Sequence, residues 1–244
     1  MTATDHPRIY FMHVKKCAGT SLVGLARRQN DRVRLPEPNA NAIPLHPEDT
    51  GLKNDARWIR FWEWPLAEQK RFIDDLDCTF FANEGRITKD FERMEGMFYL
   101  LCLREGLGRF ISHYRHFLRG GKVSGDLSEF IETPEKNPGL LNFATYQLSG
   151  RRVAGYDPVA LKIACRNIDK FDHIVFSETY ESDVQVLVDR FGWGRPEELP
   201  KRNSADDDDG VCAQLTPEML GRLAELNASD VALHAYARRL FPRP

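Results

Sequence analysis

Four apolar runs punctuate the chain: Ile9 to Met12, Cys78 to Ala82, Met97 to Leu103 and His173 to Phe176. Each is short, does not alternate, and stops at polar or small residues. That is the pattern of strands buried on both faces. Helical patterns lie between them. One runs from about Thr20 to Arg28, with Leu22, Val23, Leu25 and Ala26 on its apolar side, and another from Leu66 to Leu76. A third begins around Arg109-Phe110, and a fourth ends over Ala164 to Phe171. A fifth is started by Ser177 and Glu178 and ends near Phe191. Thr216-Pro217-Glu218, a cap with proline at the first helical position, opens the last. It is expected to continue as one helix through Leu226-Asn227 and Asp230 to Tyr236-Ala237 and Leu240-Phe241. Strands alternating with helices predict an α/β fold with a mainly parallel central sheet.

Two stretches interrupt this rhythm. Residues 30–56 are rich in Asn, Pro, Asp and Gly and read as an irregular insertion, with one short strand expected at Val33-Arg34-Leu35. Trp58, Trp62 and Trp64 follow it, three of the four tryptophans. They fit either an aromatic platform for an acceptor or packing of the insertion on the core, with neither favoured. The region 30–76 is therefore a candidate acceptor-binding segment within a single domain spanning 1–244. The second stretch, the loop from Gly192 to Leu215, carries the basic pair Lys201-Arg202 and the acidic run Asp206 to Asp209, which reads as a solvated loop ahead of a calcium site.

Composition narrows the function classes. The 244 residues suit one α/β domain with a sizeable core, and 42% hydrophobic with 29% charged residues excludes a disordered chain. A net charge of −2 gives no global attraction to nucleic acid or a membrane surface, so any anion site must be local. No run spans a bilayer and the polar N-terminus reads as no signal peptide, so a cytoplasmic location is expected. Five scattered cysteines, an odd number with no C-x-x-C pair, are expected to be buried free thiols.

The chemistry concentrates where the first strand ends. Tyr10-Phe11-Met12-His13-Val14-Lys15-Lys16-Cys17-Ala18-Gly19-Thr20-Ser21 reads as strand, small-residue turn and helix N-terminus. The free N–H groups of a first helical turn and its dipole favour an anion, and a lysine beside them adds full charge. Residues 15–21 are thus a candidate phosphate cradle, against the plainer alternative of a solvated lysine pair. The lysine precedes the glycine here, unlike the G-K-[ST] order of nucleotide-triphosphatase loops. A second strand–turn–helix unit starts at Arg104, with Arg109, Ser112 and Tyr114 following. Two such units imply a ligand with two anionic centres. For Arg109 a helix-surface salt bridge is the alternative, and His113 with His116 lacks a third ligand for a metal site.

The first loop resembles the 5′-phosphosulfate loop of sulfotransferases, H-x-x-K-x-G-G-T-S, through His13, Lys16, Gly19, Thr20 and Ser21. Lys15 stands where proline is common and Ala18 replaces the first glycine. Arg104, Arg109, Ser112 and Tyr114 resemble the 3′-phosphate motif R-D-P-x-x-R-x-x-S-x-Y, with Glu105-Gly106 in place of Asp-Pro. Asn142 to Gly150 is similar to the N-x-x-T-x-x-L-[SA]-G segment of the carbohydrate-type sulfotransferases, which include the heparan sulfate 2-O-sulfotransferases. The resemblance covers Arg8 to Phe241 and is weak over 30–76.

It implies a P-loop-like three-layer sandwich and sulfuryl transfer from 3′-phosphoadenylyl sulfate (PAPS) to a hydroxyl of a small-molecule or glycan acceptor, leaving adenosine 3′,5′-bisphosphate (PAP). No metal, nucleic acid or membrane is implied, and oligomeric state is open. Lys15, Lys16, Ala18, Gly19, Thr20 and Ser21 would hold the 5′ end of the donor. Arg104, Ser112 and Arg109 would hold the 3′-phosphate, and Arg202 would close over the nucleotide. Lys16 would neutralise the leaving phosphate. The histidine that heparan 2-O-type relatives carry after the second strand is missing: the chain reads Ala82-Asn83-Glu84-Gly85. Glu84 is accordingly the candidate base, with Asn83 orienting the acceptor and His13 as the competing candidate. On position alone a helix-capping or salt-bridged glutamate before Thr88 is the favoured alternative for Glu84, and a packed, hydrogen-bonded histidine is the alternative for His13. A P-loop-like kinase and an inactive nucleotide-binding relative remain alternatives.

Overall fold

A computed structural model describes residues 8–29, 61–75, 79–87, 90–123, 126–194 and 210–242. The expected strand at 33–35, Trp58, Cys78, the Lys201-Arg202 pair and the acidic run 206–209 lie outside the described residues.

Four strands form one sheet among the described residues: β1 (Arg8–Met12), β2 (Phe80–Asn83), β3 (Met97–Leu103) and β4 (His173–Phe176). They pair in parallel in the order β2-β1-β3-β4. All seven residues of β3 are buried. Since successive side chains point to opposite faces, both faces of the sheet are covered, and the continuous apolar runs follow from that. The chain leaves β1 towards β2 on one side and leaves β3 towards β4 on the other. The exits of β1 and β3 therefore diverge, opening the crevice where open α/β sheets take their ligands.

The helices are α1 (Gly19–Gln29), α2 (Leu66–Asp75), α3 (Gly106–Arg119), α4 (Leu127–Glu132), α5 (Phe143–Ser149), α6 (Pro158–Ile168), α7 (Tyr180–Phe191), α8 (Val211–Gln214), α9 (Pro217–Leu226) and α10 (Ala228–Leu240). The single last helix expected from Thr216 onward is two. Thr216 does cap α9, its hydroxyl accepting the Met219 N–H at 3.2 Å. At Asn227 the helix breaks, because the Asn227 side chain accepts the Asn142 N–H (3.1 Å) and donates to the Leu223 carbonyl (3.0 Å).

Of the tryptophans in the candidate acceptor region, Trp62 packs the core. It is fully buried, edge-on to Tyr10 at 4.9 Å and against Phe91 at 4.5 Å, so the packing alternative holds for it. A second apolar cluster joins α3, α4 and α9 through Phe110, Tyr114, Leu127, Phe130 and Leu223.

Candidate active site

β1 ends in His13 and Val14, and a turn from Lys15 to Ala18 leads into α1. Lys16 and Ala18 both take left-handed backbone, with φ of 68° and 61°. For non-glycine residues that geometry costs about 1–2 kcal/mol each and is held in place by its surroundings. Turns of this kind tip backbone N–H groups into a shared anion-binding concavity. The Ala18 carbonyl accepts the N–H groups of Ser21 (3.0 Å) and Leu22 (3.3 Å), whereas those of Gly19 and Thr20 bond to nothing among the described residues. Two thiols pin the turn from below: Cys17 bonds the Lys15 carbonyl and Cys102 that of Val14, each at 3.6 Å. Burial pushes the Cys17 thiol up to about 12, so it serves as a neutral donor. Cys165 is half-buried and Cys212 exposed, unlike the buried thiols expected from sequence.

The second cradle starts at the exit of β3. Glu105 caps α3, its carboxylate accepting from Leu107 N–H (3.0 Å) and Gly108 N–H (2.8 Å). It thereby ties down a turn that lacks the usual proline. Glu178, just past β4, accepts the Glu105 N–H at 2.7 Å and ties that turn to the neighbouring strand. Arg104 lies over Gly108, where an added Cβ would come within 3.2 Å of Nε. Below Gly108 on the same helix face, at intervals of four and then three residues, come Ser112, His116 and Arg119, none of them buried.

Arg109 is a correction. Its side chain is fully buried, Nε donating to Asp230 at 3.1 Å and Nη2 to the Leu140 carbonyl at 2.7 Å, and the guanidinium lies over Phe143. It turns into the protein and is not available to a ligand. His113, beside it, is buried against Phe117 and Phe143.

Lys16 and Arg104 leave the same edge of the sheet from adjacent strands, with Met12 in register with Leu101. Burial lowers the Lys16 pKa from its ordinary value, and the charges of Arg119, Arg104 and Lys15 lower it further. Lys16 makes no ion pair with a described residue, whereas Lys15 pairs with Glu84.

Glu84 follows β2 and is buried. Its Oε1 lies 3.4 Å from His13 Nδ1, at ion-pair distance without hydrogen-bond alignment, and its Oε2 lies 3.5 Å from Lys15 Nζ. Gln147 of α5 fixes this corner: its Nε2 donates to the Glu84 carbonyl (2.7 Å) and its Oε1 accepts the Lys15 N–H (3.4 Å). The Asn142–Gly150 segment thus joins both sides of the site. Asn83 accepts the Gly85 N–H, and its buried Nδ2 has no partner.

His13 fills the space under Gly19, where a Cβ would stand 2.1 Å from its Cδ2. Burial, then Lys15 and Lys16, lower its pKa to about 3. An imidazole that holds a proton this weakly is a poor base near neutral pH.

The structure brings Lys15, Lys16, Ala18, Gly19, Thr20, Ser21, His13, Glu84, Arg104 and Ser112 to one edge of the sheet; it turns Arg109 away, and Arg202 lies outside the described residues. Sequence reasoning missed Arg119, whose charge acts on Lys16 and which stepping on from Ser112 by seven residues would have found, and it weighed His116 only as half of a metal pair. Among the described residues no group of His, Cys, Asp or Glu could hold a metal ion, and no helix is long and apolar enough to cross a membrane.

Fold and site together define an α/β protein whose two cationic strand exits stand side by side at one edge of a parallel sheet. The model of the sulfotransferase family matches residues 1–237, and the chain belongs to that family. No curated protein matches it.

Proposed function

We propose that the protein moves a sulfuryl group from PAPS to a hydroxyl of an acceptor, a carbohydrate or glycoconjugate, without a metal ion and in the cytoplasm. The observation that carries this reading is the pairing of Lys16 and Arg104 at adjacent exits of β1 and β3, close enough for the charge of Arg104 to lower the Lys16 pKa. Gly19 and Thr20 N–H groups hold the 5′-phosphate, and Arg104 with Ser112 takes the 3′-phosphate. Glu84 accepts the proton of the acceptor hydroxyl while Asn83 Nδ2 orients that oxygen. The oxygen attacks sulfur in line, the bond from sulfur to the phosphate oxygen breaks, and Lys16 neutralises the charge gathering on the departing PAP.

Calorimetry with PAP and with ATP, both without Mg²⁺, tests the donor. Tight PAP and weak ATP binding is expected, and the reverse order would assign a kinase-like module instead. Transfer of labelled sulfate to a panel of hydroxyl acceptors then tests turnover. Glu84→Gln is expected to lower it about 100-fold or more with PAP affinity retained. Full activity in that variant removes Glu84 from the mechanism, and no transfer to any acceptor leaves an inactive nucleotide-binding relative.

A further inference from the structure

One buried amide touches the exits of two strands at once. The Gln147 side chain accepts the Lys15 N–H through Oε1 at 3.4 Å and donates to the Glu84 carbonyl through Nε2 at 2.7 Å. Its main-chain carbonyl accepts the Ile87 N–H at 2.6 Å, so the segment from Glu84 to Ile87 is held at both ends. Gln147 itself is fully buried. Serving both exits takes a donor and an acceptor side by side, which a primary amide has and a carboxylate or thioether lacks.

The helix that carries this amide is fastened at both ends. Asp230 takes the N–H groups of Ala144 (3.2 Å) and Thr145 (2.7 Å) at the start of α5, and Asn167 Nδ2 donates to the Leu148 carbonyl (2.8 Å) near its end. All seven residues of α5 are buried. Gln147 therefore projects from a fixed support, whereas the second link between the two exits, the Lys15–Glu84 ion pair at 3.5 Å, has its ammonium partly in solvent. Exposed charge pairs hold geometry weakly. In-line transfer is sensitive to spacing: a displacement of about 1 Å between base and donor can cost on the order of 100-fold in rate.

We propose that Gln147 is a positioning residue for the transfer reaction: it sets the spacing between the donor turn at Lys15 and the carboxylate of Glu84, and it passes the ordering of that turn by a bound nucleotide on to residues 84–87. This rests on the reading of the Lys15–Ser21 turn as the donor cradle and of Glu84 as the base.

Amide hydrogen exchange on the full chain, free and with PAP, reads this link without an acceptor. Gln147→Met keeps the volume and removes both side-chain bonds, so segments 13–19 and 84–87 should each exchange about tenfold faster or more in the free chain. Gln147→Glu keeps an acceptor for the Lys15 N–H and loses the donor to Glu84, so it should loosen 84–87 alone; it also carries the comparison if the methionine variant does not fold. PAP should slow exchange in both segments of the wild type and in 13–19 only of the variants. At saturating PAPS and acceptor, Gln147→Met should lower kcat about tenfold or more while PAP affinity changes less than about threefold. In the Glu84→Gln background the same substitution should cost less than about twofold, because its effect passes through Glu84, whereas a merely structural role would lower both backgrounds equally. Equal losses in the two backgrounds, or unchanged exchange at 84–87 in both variants, overturn the proposal. Failure of the underlying reading shows separately, as full activity in Glu84→Gln or as absent PAP binding. If no acceptor takes up sulfate, the exchange comparison decides alone.

Discussion

At Gly19 and Ala18, adjacent residues of one turn obey opposite rules. Gly19 is required for space, because a methyl group there overlaps the buried His13 ring at 2.1 Å. Ala18 suffers from its methyl for a different reason, since its φ of 61° is left-handed backbone. Gly19→Ala is therefore expected to weaken PAP binding at least tenfold and to lower the melting temperature. Ala18→Gly is expected to keep binding and to change stability by no more than about 1 kcal/mol, relief of strain offsetting the added freedom of the unfolded chain. Titration and thermal melts of the two variants check both. The sequence showed that an alanine replaces a glycine here; it did not show which of the two positions the fold requires empty. That depends on where a buried ring from the preceding strand comes to rest.

Helices α3, α5 and α10 are joined by one buried carboxylate. Asp230 accepts from Arg109 Nε (3.1 Å), the Ala144 N–H (3.2 Å) and the Thr145 N–H (2.7 Å), while its own N–H donates to Asn142 Oδ1 (2.9 Å). Asp230→Ala strands a buried guanidinium and two helix N-terminal donors, and a loss of about 3–5 kcal/mol is expected in urea unfolding. Replacing Arg109 by methionine and Asp230 by leucine together should cost less than Asp230→Ala alone, which a double-mutant cycle reads directly. Strands β3 and β4 were legible to the residue, because a continuous apolar run with polar ends needs no partner to define it. The break at Asn227 was not, since hydrogen bonds with Asn142, 85 residues earlier in the chain, create it. Arg109 was misplaced for the same reason, its carboxylate lying 121 residues away. Its spacing did carry a clue: Phe110, His113 and Tyr114 share its buried side of α3.

Across the whole molecule, two histidines tie stability to pH. Burial is the leading cause that lowers His13 to about 3 and His113 to about 2. Both are neutral in the folded protein, whereas in the unfolded chain they take up protons near pH 6.5. The unfolded state thus binds more protons as pH falls from about 6.5 towards 3, and folding stability declines over that window by up to about 1.4 kcal/mol per pH unit for each group. Urea midpoints measured from pH 7.5 down to 5 should fall, and His113→Phe should flatten the slope; a flat wild-type profile would contradict the buried neutral histidines. The upper part of this window lies above the ordinary carboxylate range, so the two effects can be separated.

The ring of His13 has one further consequence. It is a wedge shared by two halves of the site, its carbon edge seating Gly19 and its Nδ1 facing Glu84. Neither half can be exchanged alone. A designer who transplants this loop into another scaffold must carry the imidazole and the exit of β2 along with it, and a library that randomises position 84 will select compensating changes at position 13.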